Sequence, residues 1–170
     1  MKITKKQLFL EIIDSYKLGG SILACGNGGS ATQANHLAEE LVGRYKKDRR
    51  PIKALSLASD TGIITCIAND YGFDNIFSRQ IECMASENDI LLCLSTSGTS
   101  PNIVKSLEKA SLMGIKAILI TGNKYDSKIH NDKFLFYKVD KNESRNVQEE
   151  HLVLIHDIIE EIERYILDRD

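Results

Sequence analysis

The sequence predicts an α/β fold, a three-layer αβα sandwich built on a five-stranded parallel sheet. Five short apolar runs recur along the 170 residues, and helix-like segments separate them. The runs are nearly continuous in hydrophobicity, as strands covered on both faces must be. Strand alternating with helix, with no antiparallel hairpin signal between them, is the pattern of a parallel sheet.

Taken in order, the predicted strands are "SILAC" (21–25), "IKALSLA" (52–58), "DILLCLS" (89–95), "KAILIT" (116–121) and "FLFYKV" (134–139). Before the first, Leu8, Ile12 and Tyr16 share one helical face; after it, Leu37, Leu41 and Tyr45 do. Further helices are expected at 63–68, 76–85 and 101–113. A long last helix is expected at 147–167, with Ile155, Ile159, Ile162 and Ile166 as its buried stripe. No repeat, low-complexity tract or linker divides the chain, so 1–170 reads as one domain.

Composition excludes several classes of function. A formal charge of −2 gives no electrostatic reason to bind nucleic acid or an anionic membrane. One basic run, "RYKKDRR" (44–50), stands out and reads as a solvated loop, at least for its lysines. Cys25, Cys66, Cys83 and Cys93 occur singly inside apolar stretches without metal or disulfide spacing, so reduced, buried thiols are expected. The first residues carry charges among their apolar positions and resemble no signal peptide, and no run reaches membrane-spanning length. These readings predict a cytoplasmic protein.

Two loops that follow predicted strands are chemically unusual. The first, "GNGGS" (26–30), has glycines that permit close backbone approach, and Ser30 with Gln33 fits a capping box. By itself it is equally a tight turn with a capped helix. It completes neither a dinucleotide fingerprint nor a Walker loop. The second, "STSGTSP" (95–101), carries five hydroxyls on Ser95, Thr96, Ser97, Thr99 and Ser100, with Ser100 placed to cap a helix begun by Pro101. A cap needs one hydroxyl; five hydroxyls beside free helix N–H groups suit a phosphate. Between the loops, His36, Glu40 and Arg44 recur at i, i+4 and i+8 and are expected on one helical flank, free of the apolar Leu37 and Leu41.

The stretches "GNGGSATQANHLAEELVGRY", "CIANDYGFDNIFSRQIE", "LSTSGTSPNIVKSLEKA" and "QEEHLVLIH" resemble the SIS (sugar isomerase) domain family, in order and over most of the chain from Gly19. The resemblance implies an SIS-type, flavodoxin-like sheet and isomerisation of a phosphosugar. The members it resembles most convert sedoheptulose 7-phosphate to D-glycero-D-manno-heptose 7-phosphate, the first step toward ADP- or GDP-heptose for lipopolysaccharide or capsule. It further implies that Ser95, Thr96, Ser97 and Ser100 hold the phosphate, while Asn27, Gly28, Gly29, Ser30, Arg44, Asn69 and Asp70 surround the sugar. Positions matching Glu40 and His156 are the family's base and acid. Zinc, one ion per subunit, would be held by His36, Glu40, Gln148 and His156. His151 matches no role and reads as a surface or partly buried histidine.

Gln148 also matches a substrate-binding position. It precedes His156 by eight residues, about 12 Å along a helix. Both reach one ion only if Gln148 lies at or before the helix start, or if a partner subunit contributes. The family's usual basic residue two positions before that glutamine is replaced by Asn146, with Arg145 beside it. One helix, where the family usually has another, precedes the first strand; a homotetramer is expected, with a dimer as the alternative. The rival reading is a non-catalytic SIS module that binds phosphosugars or a replication-initiation partner. Such members tend to lose the glutamate and the last histidine, and Glu40 and His156 are both present here.

Overall fold

The computed structural model describes residues 1–130 and 134–168. Among the described residues the elements run α1 (Lys5–Lys17), β1 (Ile22–Gly26), α2 (Gly29–Val42), β2 (Ala54–Ser56), α3 (Thr61–Tyr71) and α4 (Ser78–Met84). They continue with β3 (Ile90–Leu94), α5 (Pro101–Leu112), β4 (Lys116–Thr121), β5 (Leu135–Lys138) and α6 (Ser144–Leu167). All five predicted strands are present, in a parallel sheet of order β2-β1-β3-β4-β5.

The central strands β1 and β3 are buried along their whole length because both faces are covered, while the edge strands β2 and β5 are partly exposed. Ile22, Ala24, Ile90, Leu92, Leu94, Ile118 and Ile120 face the layer formed by α1, α2 and α6. Leu23, Cys25, Leu91, Cys93 and Leu119 face the layer of α3, α4 and α5. The stripe Ile155, Ile159, Ile162, Ile166 of α6 is buried as its period requires. A Thr4–Gln7 capping box starts α1, and the Asp60 carboxylate accepts from the Ile63 N–H to start α3.

Several local expectations are corrected. Ser30 does not cap α2, because the helix begins two residues earlier than that cap requires, with Gly28 at φ +55° as its N-cap. Gln33 instead donates its amide to the Gln148 carbonyl oxygen at 2.7 Å, joining α2 to α6. Ser100 stands at the N-cap of α5 without a side-chain capping bond. Cys25 and Cys93 are buried, but Cys66 and Cys83 are exposed, since they fall on the outer faces of short helices. His151 is fully buried, because the apolar face of α6 is wide enough to include it. No helix among the described residues is long and apolar enough to cross a membrane.

Candidate active site

The strand order reverses between β1 and β3, and the loops leaving their carboxyl ends flank the crevice where sheets of this kind bind ligands. Both unusual loops therefore meet at one place. They are fastened there by Asn27 and Asn102, whose amides exchange two hydrogen bonds of 2.8 Å each. Asn102 lies in the first turn of α5 and is buried. Nothing in its sequence setting marks it beyond its nearness to the hydroxyl loop.

Two helix N-termini open beside this tie. Neither α2 nor α5 has a side-chain cap; Ser30, Ala31 and Ile103 donate to backbone carbonyls and Pro101 has no N–H, which leaves the Gly29 and Asn102 N–H groups, with the helix dipoles, for an anion. A third helix adjoins them: the Ser144 hydroxyl in the first turn of α6 lies 3.4 Å from that of Thr96. The hydroxyls of the loop divide their labour. Buried Ser95 accepts from the Gly98 N–H at 3.1 Å and so shapes the turn from inside. Ser97 is exposed, accepts from the Thr99 N–H and hydroxyl, and faces outward with Thr99. Gly98 has φ +71°, and a Cβ there would stand 2.5 Å from Tyr125 Cδ2, so the turn requires glycine.

Gln148 lies inside α6 and not at or before its start. Its side-chain amide sits against Gly29, where a Cβ would come within 2.8 Å of Nε2. Two turns further along α6, His156 occupies a different group. Its ring meets His36 edge-on at 5.1 Å between centroids and stacks on Tyr45 at 5.4 Å. His36 Nε2 is 3.4 Å from Glu40 Oε1. One chain thus brings His36, Glu40 and His156 together and leaves Gln148 with the loops.

Arg44 departs from the expected flank. Gly43 ends α2 with φ −82° and ψ −118°, which turns the chain before the helical spacing can reach Arg44. Asn69 and Asp70 lie exposed on the last turn of α3, in the opposite helical layer, with Asn69 donating to Asp70 at 2.7 Å. Gly28 is exposed and Ser30 buried at the start of α2.

Tyr45 and Glu39 join the histidine cluster without having been singled out as site residues. Tyr45 reads as part of an apolar stripe, yet its ring covers His156. Glu39 stands three residues after His36, a spacing that already places both on one flank. Donor atoms of His36, Glu39 and Glu40 lie within 4.8 Å of one another. An imidazole and two carboxylates that close are a donor set suited to zinc.

The sequence and fold are similar to those of known proteins. A family model described as the SIS domain matches residues 6–122. The chain belongs to the SIS domain family. A phosphoheptose isomerase of Helicobacter pylori is 40% identical over 159 residues, spanning 94% of this chain and 82% of that protein. Another, of Citrifermentans bemidjiense, is 44% identical over 153 residues, spanning 90% and 79% respectively. The solved phosphoheptose isomerase structure from Neisseria gonorrhoeae matches with a TM-score of 0.85 at 33% identity, covering 94% of this chain and 85% of that one. Within the SIS family, this chain groups with the phosphoheptose isomerases.

Proposed function

We propose that this protein is an aldose–ketose isomerase that interconverts D-sedoheptulose 7-phosphate and D-glycero-D-manno-heptose 7-phosphate, using the whole chain, 1–170, as one SIS domain. The observation that carries the reading is the grouping of Glu40 with His36 and His156, on helices whose other ends meet the hydroxyl loop. A binding module has no use for that grouping.

The phosphate rests on Ser95, Thr96, Ser97 and Ser100 at the N-terminus of α5, where the helix dipole and the Asn102 N–H favour an anion. Ser95 contributes mainly by shaping the loop, since its oxygen already serves Gly98. Asn27, Gly28, Gly29, Ser30 and Gln148 line the sugar side of the crevice, with Arg44, Asn69 and Asp70 completing it. Glu40 takes a proton from C1 of the open-chain ketose, and His156 protonates the oxygen on C2. The enediol that results collapses when Glu40 returns its proton to C2 and His156, which gave one up, takes the proton from the oxygen on C1. Holding the phosphate, remote from these carbons, orients them.

His36, Glu40 and His156 would hold zinc, with Glu39 close enough to contribute. A bound zinc ion would polarise the substrate's carbonyl oxygen.

The distances support a shared site. Glu40 follows Gly29 by eleven residues, about 16 Å along α2, and His156 is about 12 Å beyond Gln148 along α6. Loops and histidine cluster therefore serve one sugar most simply from different copies, in a homotetramer or a dimer. The nearly unburied α3, with Ile67 its one buried residue and Tyr71 exposed, offers a surface for assembly. Free thiols of Cys25 and Cys93 facing each other at 3.5 Å support a reducing compartment, the cytoplasm.

Turnover of sedoheptulose 7-phosphate by the purified protein, before and after chelation, tests the reading. Catalysis that falls on chelation and returns with zinc is expected. A protein that binds the sugar phosphate and never isomerises it would be the binding module instead.

A further inference from the structure

The basic run contains one cationic side chain that is not solvated. Arg49 has a side-chain exposure of 0%, and it folds back onto the end of α2. One terminal nitrogen donates to the Leu41 carbonyl at 2.9 Å and to that of Arg50 at 3.2 Å. The other donates to the carbonyl of Glu40 at 2.7 Å. Nε faces Glu163 Oε1 at 3.5 Å, and the Glu163 side chain is itself only 6% exposed. The same carboxylate oxygen stands 3.5 Å from the Lys47 N–H.

A helix leaves its last carbonyls unpaired and gathers partial negative charge there. The end of α2 has no basic residue in its last turn, and Gly43 does not adopt the left-handed conformation of the usual glycine cap. Arg49 performs that task from outside the helix. Its counter-ion lies on α6, seven residues after His156, which is two turns and therefore the same stripe. A single guanidinium thus joins the backbone of Glu40 to the helix that carries His156.

We propose that Arg49, with Glu163 as its buried counter-ion, is a positioning residue for the isomerisation, setting Glu40 against His156. The inference rests on the roles given above to those two residues. Lysine cannot replace it, because a point charge cannot span three carbonyls and a carboxylate as a planar fork does.

The test uses the full chain. Arg49→Lys is expected to keep KM for sedoheptulose 7-phosphate within about threefold while kcat falls about 10- to 100-fold, the signature of misplaced groups with intact phosphate binding. Arg49→Met/Glu163→Leu removes both charges together, a change that buried pairs tolerate in folding. It should fold, melting somewhat below the parent because the Glu40, Leu41 and Arg50 carbonyls lose their donor, and remain slow. If Arg49→Lys fails to fold, the double variant decides. Parental kcat in either folded variant, or a loss in KM as large as that in kcat, overturns the proposal. Glu40→Gln run alongside separates the two ideas. If it isomerises normally, the assignment of the base has failed; if it is inactive while Arg49→Lys is fully active, only the positioning role has.

Discussion

Asn27 and Asn102 exchange two hydrogen bonds of 2.8 Å, so the loop after β1 and the helix after β3 are held as one body. Asn102→Asp removes one donor and turns a carboxylate toward the Asn27 carbonyl oxygen. About 1–3 kcal/mol of stability should be lost, the cost of unpairing a buried polar group. Thermal melting together with calorimetric titration of a sugar phosphate checks this, and affinity should fall with stability because both loops loosen.

The hydroxyl loop should separate into structural and ligand-facing members. Ser97→Ala/Ser100→Ala is expected to weaken phosphosugar binding with an unchanged melting temperature. Ser95→Ala should lower the melting temperature, because the Gly98 N–H loses its acceptor, at a cost near 1 kcal/mol. Gly98→Ala should do both, since its φ of +71° is unfavourable to a side chain and its Cβ would collide with Tyr125.

His151 predicts an acid-sensitive fold. Burial pushes its pKa down from the ordinary 6.5 to about 4, opposed by the Thr121 backbone. Below pH 6.5 the unfolded chain takes up a proton that the folded one refuses, so stability is full above that pH and falls toward pH 4. The loss approaches roughly 3 kcal/mol for a shift of this size. Denaturant titrations at stepped pH should show the slope, and His151→Leu should flatten it. An unchanged slope in that variant would assign the acid sensitivity to other groups.

Glu40 and His156 should behave as a unit. Glu40→Gln preserves shape but not basicity, so exchange of the C1 proton with solvent should nearly cease. His156→Asn should suppress turnover while leaving more of that exchange. Combining them should cost little beyond the worse single change.

Complementation tests whether one site draws on two copies of the chain. Glu40→Gln and Ser97→Ala/Ser100→Ala proteins, each slow alone, should regain activity when unfolded and refolded together. Mixed assemblies then contain some sites with both parts intact. No gain on mixing would place loop and base in the same copy.

Much of this protein follows from local pattern. The five apolar runs and the stripe of α6 specified the sheet and its covering helices, because strands covered on both faces bury consecutive apolar residues. Glycine at 98 and the hydroxyls around it marked the loop after β3, because turn geometry and anion binding demand those residue types within a few positions. The spacing of His36 and Glu40 gave their shared flank for the same local reason.

Other relationships depend on contacts between distant segments. Asn102 meets Asn27 across 75 residues of chain, and Arg49 meets Glu163 across the interval between α2 and α6. Tyr45 packs against the same core as Leu37 and Leu41 and also stacks on His156, a contact its stripe did not reveal, and His151 went inside because α6 packs more of its circumference than one stripe. Helical spacing carries to the next turn and stops at the first break, so Arg44 beyond Gly43 escaped the flank that the pattern assigned it. Periodicity determines which face a residue occupies within its own element; which faces then meet, and which polar groups become buried together, is decided only when the layers close.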